Sequence, residues 1–435
     1  MRGSHVNPPR VLMQSLGCKT NQYENDALAA AFIAAGFLLA EDGLPVDVAV
    51  LNTCTVTGEA GRKSRQMLRR LRERHPEAII VASGCHAQLA DLSALADLTV
   101  GTSGRDRIVE EVVLQLETRP DGPRVFLHEP YAYETIAPVS LPSETRAYVK
   151  IEDGCDNRCT YCAIRLARGR ARSRPAGAIV AEIDALARTG HREIVLTGTH
   201  IGSYGKGEDT SLIDLLEQID KTSAERVRLG SLEPAALSEA FIERAARLKR
   251  LCPHFHLSLQ SGSDGVLHRM NRRYTAADYR AAVARILRVW PQAGLTTDVM
   301  VGFPGETDAE HRESVDFIRE LPFTDLHIFR FSARGGTPAA AMPAQVPADI
   351  SKSRSRDMEQ LAEVKRAEAV GARIGERRTV IVEKTENGRH FGYTEDYLYV
   401  SLPALSADLA AGSSLDVIVT GREDGKATAK AVLHP

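Results

Sequence analysis

The chain has 435 residues, 43% hydrophobic and 26% charged, with a formal net charge of −2. That length allows two or three domains with their own cores, and the composition is that of ordinary globular protein. Bulk charge therefore cannot drive nucleic-acid binding, which would need local basic patches, and no apolar run approaches the roughly 20 residues of a membrane span.

Met1-Arg-Gly-Ser-His5 lacks the apolar core of a signal peptide and is left out of the argument. Seven cysteines, an odd number, in a large chain without a secretion signal point to thiols kept reduced. The expected location is the cytoplasm, with no membrane partner.

A first domain is expected over 8–142. Arg10 to Cys18, Val46 to Cys54 and Ala78 to Cys85 each read as a strand ending in cysteine, with helical patterns at Asn25–Ala35 and Gly58–Arg74 between them. Strands alternating with helices predict a parallel sheet, whose C-terminal strand ends share one edge. Cys18, Cys54 and Cys85 fall at that edge, one βαβ unit apart. A cysteine taken singly is most often a small buried hydrophobe. Three successive strand ends finishing in cysteine point instead to a metal cluster with three protein ligands. The second helix carries Arg62, Lys63, Arg65, Arg69, Arg70, Arg72 and Arg74. This is either a solvated face or a phosphate contact.

A second domain is expected over 143–371. Arg146 to Ile151 alternates like a strand, Gly154 opens a loop, and Cys155, Cys159 and Cys162 follow with the spacing C-x3-C-x2-C. Thiolates this close ask for a soft metal or an iron–sulfur cluster. A structural zinc site would want a fourth ligand, which would have to be distant here. Three ligands would leave one iron of a 4Fe-4S cluster open. Next comes an arginine strip, Arg165, Arg168, Arg170, Arg172 and Arg174, expected to be exposed and able to track a phosphate backbone, or to serve as a solvated loop or partners for nearby acids. Strands at Glu193–Thr197, Arg226–Gly230, Phe255–Gln260, Leu295–Val301 and Leu326–Phe331 then alternate with amphipathic helices. With the strand before the cysteines they make six βα units, a partial TIM-like barrel whose site lies on the loops at the strands' C-terminal ends.

A third domain is expected over 372–435. Short strands at Arg378–Glu383, His390–Thr394, Tyr397–Ser401, Ser414–Thr420 and 427–433 predict a small five-stranded β-barrel. Phe391, Tyr393, Tyr397 and Tyr399 are candidates for stacking on bases or for barrel core.

The C-x3-C-x2-C loop resembles the signature of the radical S-adenosylmethionine (SAM) enzymes, and the C-terminal barrel resembles the TRAM RNA-binding module. The order of the three domains is similar to that of the methylthiotransferase family. Ser15-Leu-Gly-Cys18-Lys-Thr-Asn21, Asn52-Thr-Cys54-Thr-Val-Thr57, Arg62-Lys-Ser-Arg65-Gln66 and Ala167-Arg-Gly-Arg170 look most like its tRNA N6-threonylcarbamoyladenosine branch. Arg165 departs from that branch, which usually has proline there.

The resemblance implies a radical SAM methylthiotransferase with SAM and two 4Fe-4S clusters. The cluster on Cys155, Cys159 and Cys162 would generate the 5′-deoxyadenosyl radical. The auxiliary cluster on Cys18, Cys54 and Cys85 would hold the sulfur to be methylated and delivered to carbon 2 of adenosine 37. It places Gly198, Gln260, Gly302 and Glu306 near SAM. Partners would be tRNA and an electron donor such as flavodoxin or ferredoxin, with Arg168, Arg170, Arg172, Arg174, Phe391 and Tyr393 toward the RNA. Other branches act on isopentenyladenosine or on an aspartate of a ribosomal protein. From a different class, the chain would be an RNA-binding protein with structural zinc.

Overall fold

The computed structural model describes residues 8–41, 43–55, 57–118, 121–129, 132–136, 145–403 and 409–432. The expected boundary at 142/143 and the chain's last residues lie outside these.

The N-terminal third builds one parallel sheet in the order β2-β1-β3-β4-β5-β6. Its strands are β1 (Arg10–Ser15), β2 (Leu38–Leu39), β3 (Val48–Thr53), β4 (Ile79–Gly84), β5 (Leu98–Val100) and β6 (Arg124–Phe126). The fully buried run Val48-Ala-Val-Leu51 of β3 is what a strand covered on both faces requires. Helices α1 (Lys19–Ala34), α2 (Gly58–Arg74), α3 (Cys85–Leu89) and α4 (Ile108–Thr118) make the crossovers. Thr57 caps α2, accepting the Ala60 amide at 3.1 Å.

The centre is an open parallel arc. It runs β7 (Ala147–Lys150), β10 (Glu193–Thr197), β11 (Arg226–Leu229), then β12 (His254–His256), β13 (Gly294–Val301) and β14 (Asp325–Arg330), with a short hairpin of β8 (Glu152–Asp153) and β9 (Arg172–Ser173) at the cysteine loop. The two three-stranded halves meet through isolated bridges at Val227–Leu251 and Leu232–Leu257. This is the expected six-strand partial barrel. A 24-residue helix, Ala348–Gly371, which the periodicity reading did not single out, packs beside β14.

The C-terminal strands β15 (Arg377–Glu386), β16 (Arg389–Thr394), β17 (Tyr399–Pro403), β18 (Ser414–Glu423) and β19 (Lys426–Ala431) close into a five-stranded barrel. The barrel seats on the N-terminal ends of the central strands. Glu193, fully buried, holds Arg226 and Arg228. Arg226 reaches the Thr379 and Tyr393 carbonyls at 3.0 Å, and Arg228 those of Glu395 and Thr394 at 3.0 Å. Tyr397, at φ 68°, stacks on His254 with ring centroids 4.3 Å apart. Tyr393 stacks on Tyr397 at 4.4 Å beneath the Arg146 guanidinium. The expectation that Tyr393 offers its ring to a base is therefore corrected: its stacking partners are supplied by the protein at this joint. Phe391 is half-buried on the barrel, with Lys426 over its ring at 4.9 Å and Lys384 at 5.5 Å.

Candidate active site between two cysteine triads

The parallel register sets Ser15 beside Asn52 and Thr53 beside Gly84. Cys18, Cys54 and Cys85 consequently leave neighbouring strands at one edge, as the spacing predicts. Gly17 has φ 109°, and any side chain there would overlap Cys54 Sγ, so the Cys18 turn needs glycine to pass the second cysteine. Asn21 ties the turns together by donating to the Leu16 carbonyl at 2.8 Å and the Thr53 carbonyl at 3.0 Å. Burial pushes the Cys85 thiol up to about 12, against the pull of Arg168, and Cys18 and Cys54 are close enough to add to the rise. A thiolate there needs a cation. Arg168 Nε lies 3.1 Å from Cys85 Sγ, and three converging sulfurs suit soft iron. The residues fit a cluster.

The second triad sits on the loop after β8. Gly154 has φ 81°, and a Cβ there would collide with the Arg170 carbonyl. Asn157 N donates to Cys155 Sγ at 3.4 Å, and Arg272 Nη1 lies 3.4 Å from Cys159 Sγ. Burial raises the Cys162 thiol to about 12, with Cys159 and Cys155 adding to it. His200, opposed by desolvation, is raised to about 10 by hydrogen bonds to Cys155 and Glu233. Cations at two of the three sulfurs again match a site meant for thiolates.

A buried ionic cluster welds the two sites. Glu24 of α1 accepts Lys150 Nζ and Arg168 Nη1 at 2.7 Å and forms an ion pair with Arg105, whose Nη1 lies 2.5 Å from its carboxylate. Asp153, just before the cysteine loop, takes Lys150 at 2.7 Å and Arg168 at 2.9 Å. Desolvation alone would raise both carboxyls; the cations hold them well below the usual carboxylate range.

These contacts correct the reading of the arginines as an exposed strip and match, for Arg168 and Arg174, the alternative in which they partner nearby acids. Arg168 is wholly buried, and Arg174 is buried on Glu182 and Tyr23. Arg172 donates to the Arg168 and Arg170 carbonyls. The small residues between the arginines let the loop fold back on the acids, which desolvated carboxylates demand. Arg170 alone of the four stays open, 81% exposed. Arg165 donates to the Asp156 carbonyl at 3.0 Å, bracing the cysteine loop. On α2, Arg62, Lys63, Arg65, Arg69, Arg70 and Arg74 are exposed, while Arg72 pairs with Asp97.

Between the triads lies a cavity of 160 Å³. Thr55 and Thr57 line it from the first cysteine site, Tyr161, Cys162 and Ala163 from the second, and Gln260, Asp298, Met300, Arg330, Phe331 and Arg334 from the barrel. Arg334, half-buried, feels both Cys54 and Cys162. A larger hollow of 370 Å³ by Arg72 and Asp97 contains none of the cysteines.

Gly198 lies in the turn beside the cysteine loop. A Cβ there would come within 2.9 Å of the Glu152 carbonyl, and the Glu152 carboxylate accepts the Thr199 and His200 amides at 2.9 and 2.8 Å. Gln260, at φ 68°, lines the cavity. Gly302 turns at φ 73°, and the buried Glu306 carboxylate accepts its amide and pairs with Arg354 at 2.9 Å. That carboxylate is thus engaged in shaping the turn. Sequence reasoning passed over Asp153, which pairs with Lys150 three residues before it, and Glu24, Arg272 and Arg334, whose partners are remote in the chain.

Residues 149–318 match the radical SAM superfamily pattern, and residues 10–101 match uncharacterized protein family UPF0004. The chain is 37% identical over 396 residues, 89% of its length and 90% of the relative's, to the threonylcarbamoyladenosine tRNA methylthiotransferase MtaB of Thermotoga maritima. It is 34% identical to the tRNA-2-methylthio-N(6)-dimethylallyladenosine synthase of Desulfitobacterium hafniense, covering 91% of this chain and 92% of the relative. Its fold resembles the solved structure of the radical S-adenosylmethionine methyltransferase TsrM from Kitasatospora setae, with TM-score 0.58, 17% identity and 77% of each chain covered.

Proposed function

The chain belongs to the radical SAM methylthiotransferase family, and from that premise we propose that it adds a methylthio group to carbon 2 of N6-threonylcarbamoyladenosine at tRNA position 37. The observation that carries this reading is the cavity whose walls come from both cysteine sites at once. A base held there meets Cys162 on one side and Thr55, beside Cys54, on another.

Cys155, Cys159 and Cys162 would hold the 4Fe-4S cluster that, with SAM, supplies the radical chemistry, and Cys18, Cys54 and Cys85 the auxiliary cluster that supplies the sulfur. The chain's own residues do the placing. Arg168 and Arg272 compensate thiolate charge. The Glu24–Arg105–Lys150–Asp153 cluster fixes one site against the other, which a transfer across a small gap requires. The Gly198, Gln260 and Gly302 turns would receive SAM, with Glu306 shaping the last of them.

Arg330 and Arg334 on the cavity wall favour the threonylcarbamoyl substituent, which carries a carboxylate. An isopentenyl group offers two guanidinium ions no anion. In this reading 8–142 carries the auxiliary cluster, 143–371 the radical SAM core and 372–435 a TRAM domain for tRNA. Arg170, Phe391 with its flanking lysines, and the exposed arginines of α2 would meet the RNA. The reaction would run in the cytoplasm, with flavodoxin or ferredoxin as electron donor.

Mass spectrometry of tRNA nucleosides from a deletion strain tests the proposal. Loss of 2-methylthio-N6-threonylcarbamoyladenosine with accumulation of its unthiolated precursor is expected. Loss of the isopentenyl product instead would move the enzyme to the neighbouring branch.

A further inference from the structure

We propose that His256, Asp298 and His327 form a binding site for one first-row divalent cation on the wall of the cavity, separate from both cysteine triads. The three residues come from adjacent strands, β12, β13 and β14. His256 pairs in register with Thr296 and His327 with Asp298. Side chains alternate along a strand, so Thr296 and Asp298 share a face, and His256 and His327 join them there. One ligand atom from each of the three lies within 4.8 Å of the others. His256 Nε2 is 3.2 Å from Asp298 Oδ2, and His327 Nδ1 is 3.4 Å from Asp298 Oδ1.

Two imidazoles and a carboxylate on one face are the donor set of open-sided iron(II) and related divalent sites. The outer partners also fit. The other nitrogen of His256, Nδ1, is hydrogen-bonded to Thr296 Oγ1 at 2.9 Å, and His254 Nε2 holds that hydroxyl at 3.0 Å. Such a partner fixes the ring so that Nε2 faces the metal. Access exists from two sides. Asp298 lines the 160 Å³ cavity, and His327 lines a neighbouring one of 240 Å³ with Arg366, Tyr393 and Tyr397. Lys19 acts electrostatically on His327 and His254, but desolvation pushes its ammonium toward the neutral form. Cys252, the cysteine outside both triads, is buried and does not belong to this group of donor atoms.

The test uses holoenzyme with both clusters oxidised, a state in which 4Fe-4S clusters give no paramagnetic signal. Manganese(II) is titrated in, and the resonance of the free ion is followed. Wild type should take up one saturable equivalent. His256→Ala and His327→Gln should each abolish that uptake with acid-labile sulfide unchanged, which shows that the protein remains folded and loaded. Thr296→Val should weaken it by roughly 10–100-fold. The proposal is overturned if wild type takes up no manganese, or if the histidine variants take up as much as wild type does.

Discussion

Replacing Arg168 by methionine removes the guanidinium that joins the two cysteine sites. Arg168 contacts Cys85 Sγ at 3.1 Å, Glu24 at 2.7 and 2.9 Å, Asp153 at 2.9 Å and Asn21 at 2.9 Å, all without solvent. Glu24 and Asp153 would keep Lys150 and Arg105, and Asp153 also Arg172, so the loss is of one cation from four rather than of all compensation. Breaking a buried pair from one side costs about 3–5 kcal/mol. At roughly 2–4 °C per kcal/mol for a domain of this size, the melting temperature of the anaerobic holoenzyme should fall by about 10 °C. Cys85 also loses the guanidinium beside its sulfur, so the loss of iron and acid-labile sulfide should fall on the auxiliary site. Arg168→Lys keeps the charge but not the fork of donors, and should fall between the two. A methionine variant with wild-type melting temperature and full iron would refute the assignment of Arg168 as the compensating cation.

On the proposed assignment of one 4Fe-4S cluster to each triad, changing Cys155, Cys159 and Cys162 together to alanine should leave about half of roughly eight irons, by metal and sulfide analysis. Arg170→Ala should reduce the steepness with which tRNA affinity falls in salt by up to ~0.9 log units per log unit. Arg174→Ala should lower stability instead, because Arg174 is buried on Glu182; equal salt slopes for all variants would contradict the division. For pH, desolvation would raise the Glu193 carboxyl, yet Arg228 and Arg226 hold it at about 2. Its folded value is depressed, so its contribution is complete above about pH 4.3 and is lost as pH falls toward 2. Protease cleavage between core and barrel should therefore rise across that window, and Glu193→Gln should remove this part of the acid dependence.

The elements that position the site were legible where pattern and burial agree. The helix at Gly58–Arg74 shows clean amphipathic periodicity and stands at its expected bounds. The three cysteine-ended strands were readable because each runs apolar into a turn. The Ala348–Gly371 helix was not, because Ser351, Arg354 and Lys365 lie on its buried side and blur the apolar stripe. The arginine strip misled for a related reason. Glu24 lies 144 residues from Arg168, which local composition cannot show, whereas Glu182 is 8 residues from Arg174 and is a nearby acid of the kind the alternative reading allowed. Tyr393 has the same pattern whether it faces RNA or Tyr397, and only the seating of one barrel on the other decides.

The central claim, that two cysteine sites act across one cavity on a carboxylate-bearing adenosine, is tested most directly by a single-turnover assay. Reconstituted enzyme, SAM and a reductant are mixed anaerobically with tRNA carrying either N6-threonylcarbamoyladenosine or N6-isopentenyladenosine, and nucleosides and 5′-deoxyadenosine are quantified together. The account predicts a methylthio product from the threonylcarbamoyl tRNA. With Cys18, Cys54 and Cys85 changed to alanine it predicts 5′-deoxyadenosine without that product. Methylthiolation by the triple variant, or by the wild type only of the isopentenyl tRNA, would contradict it.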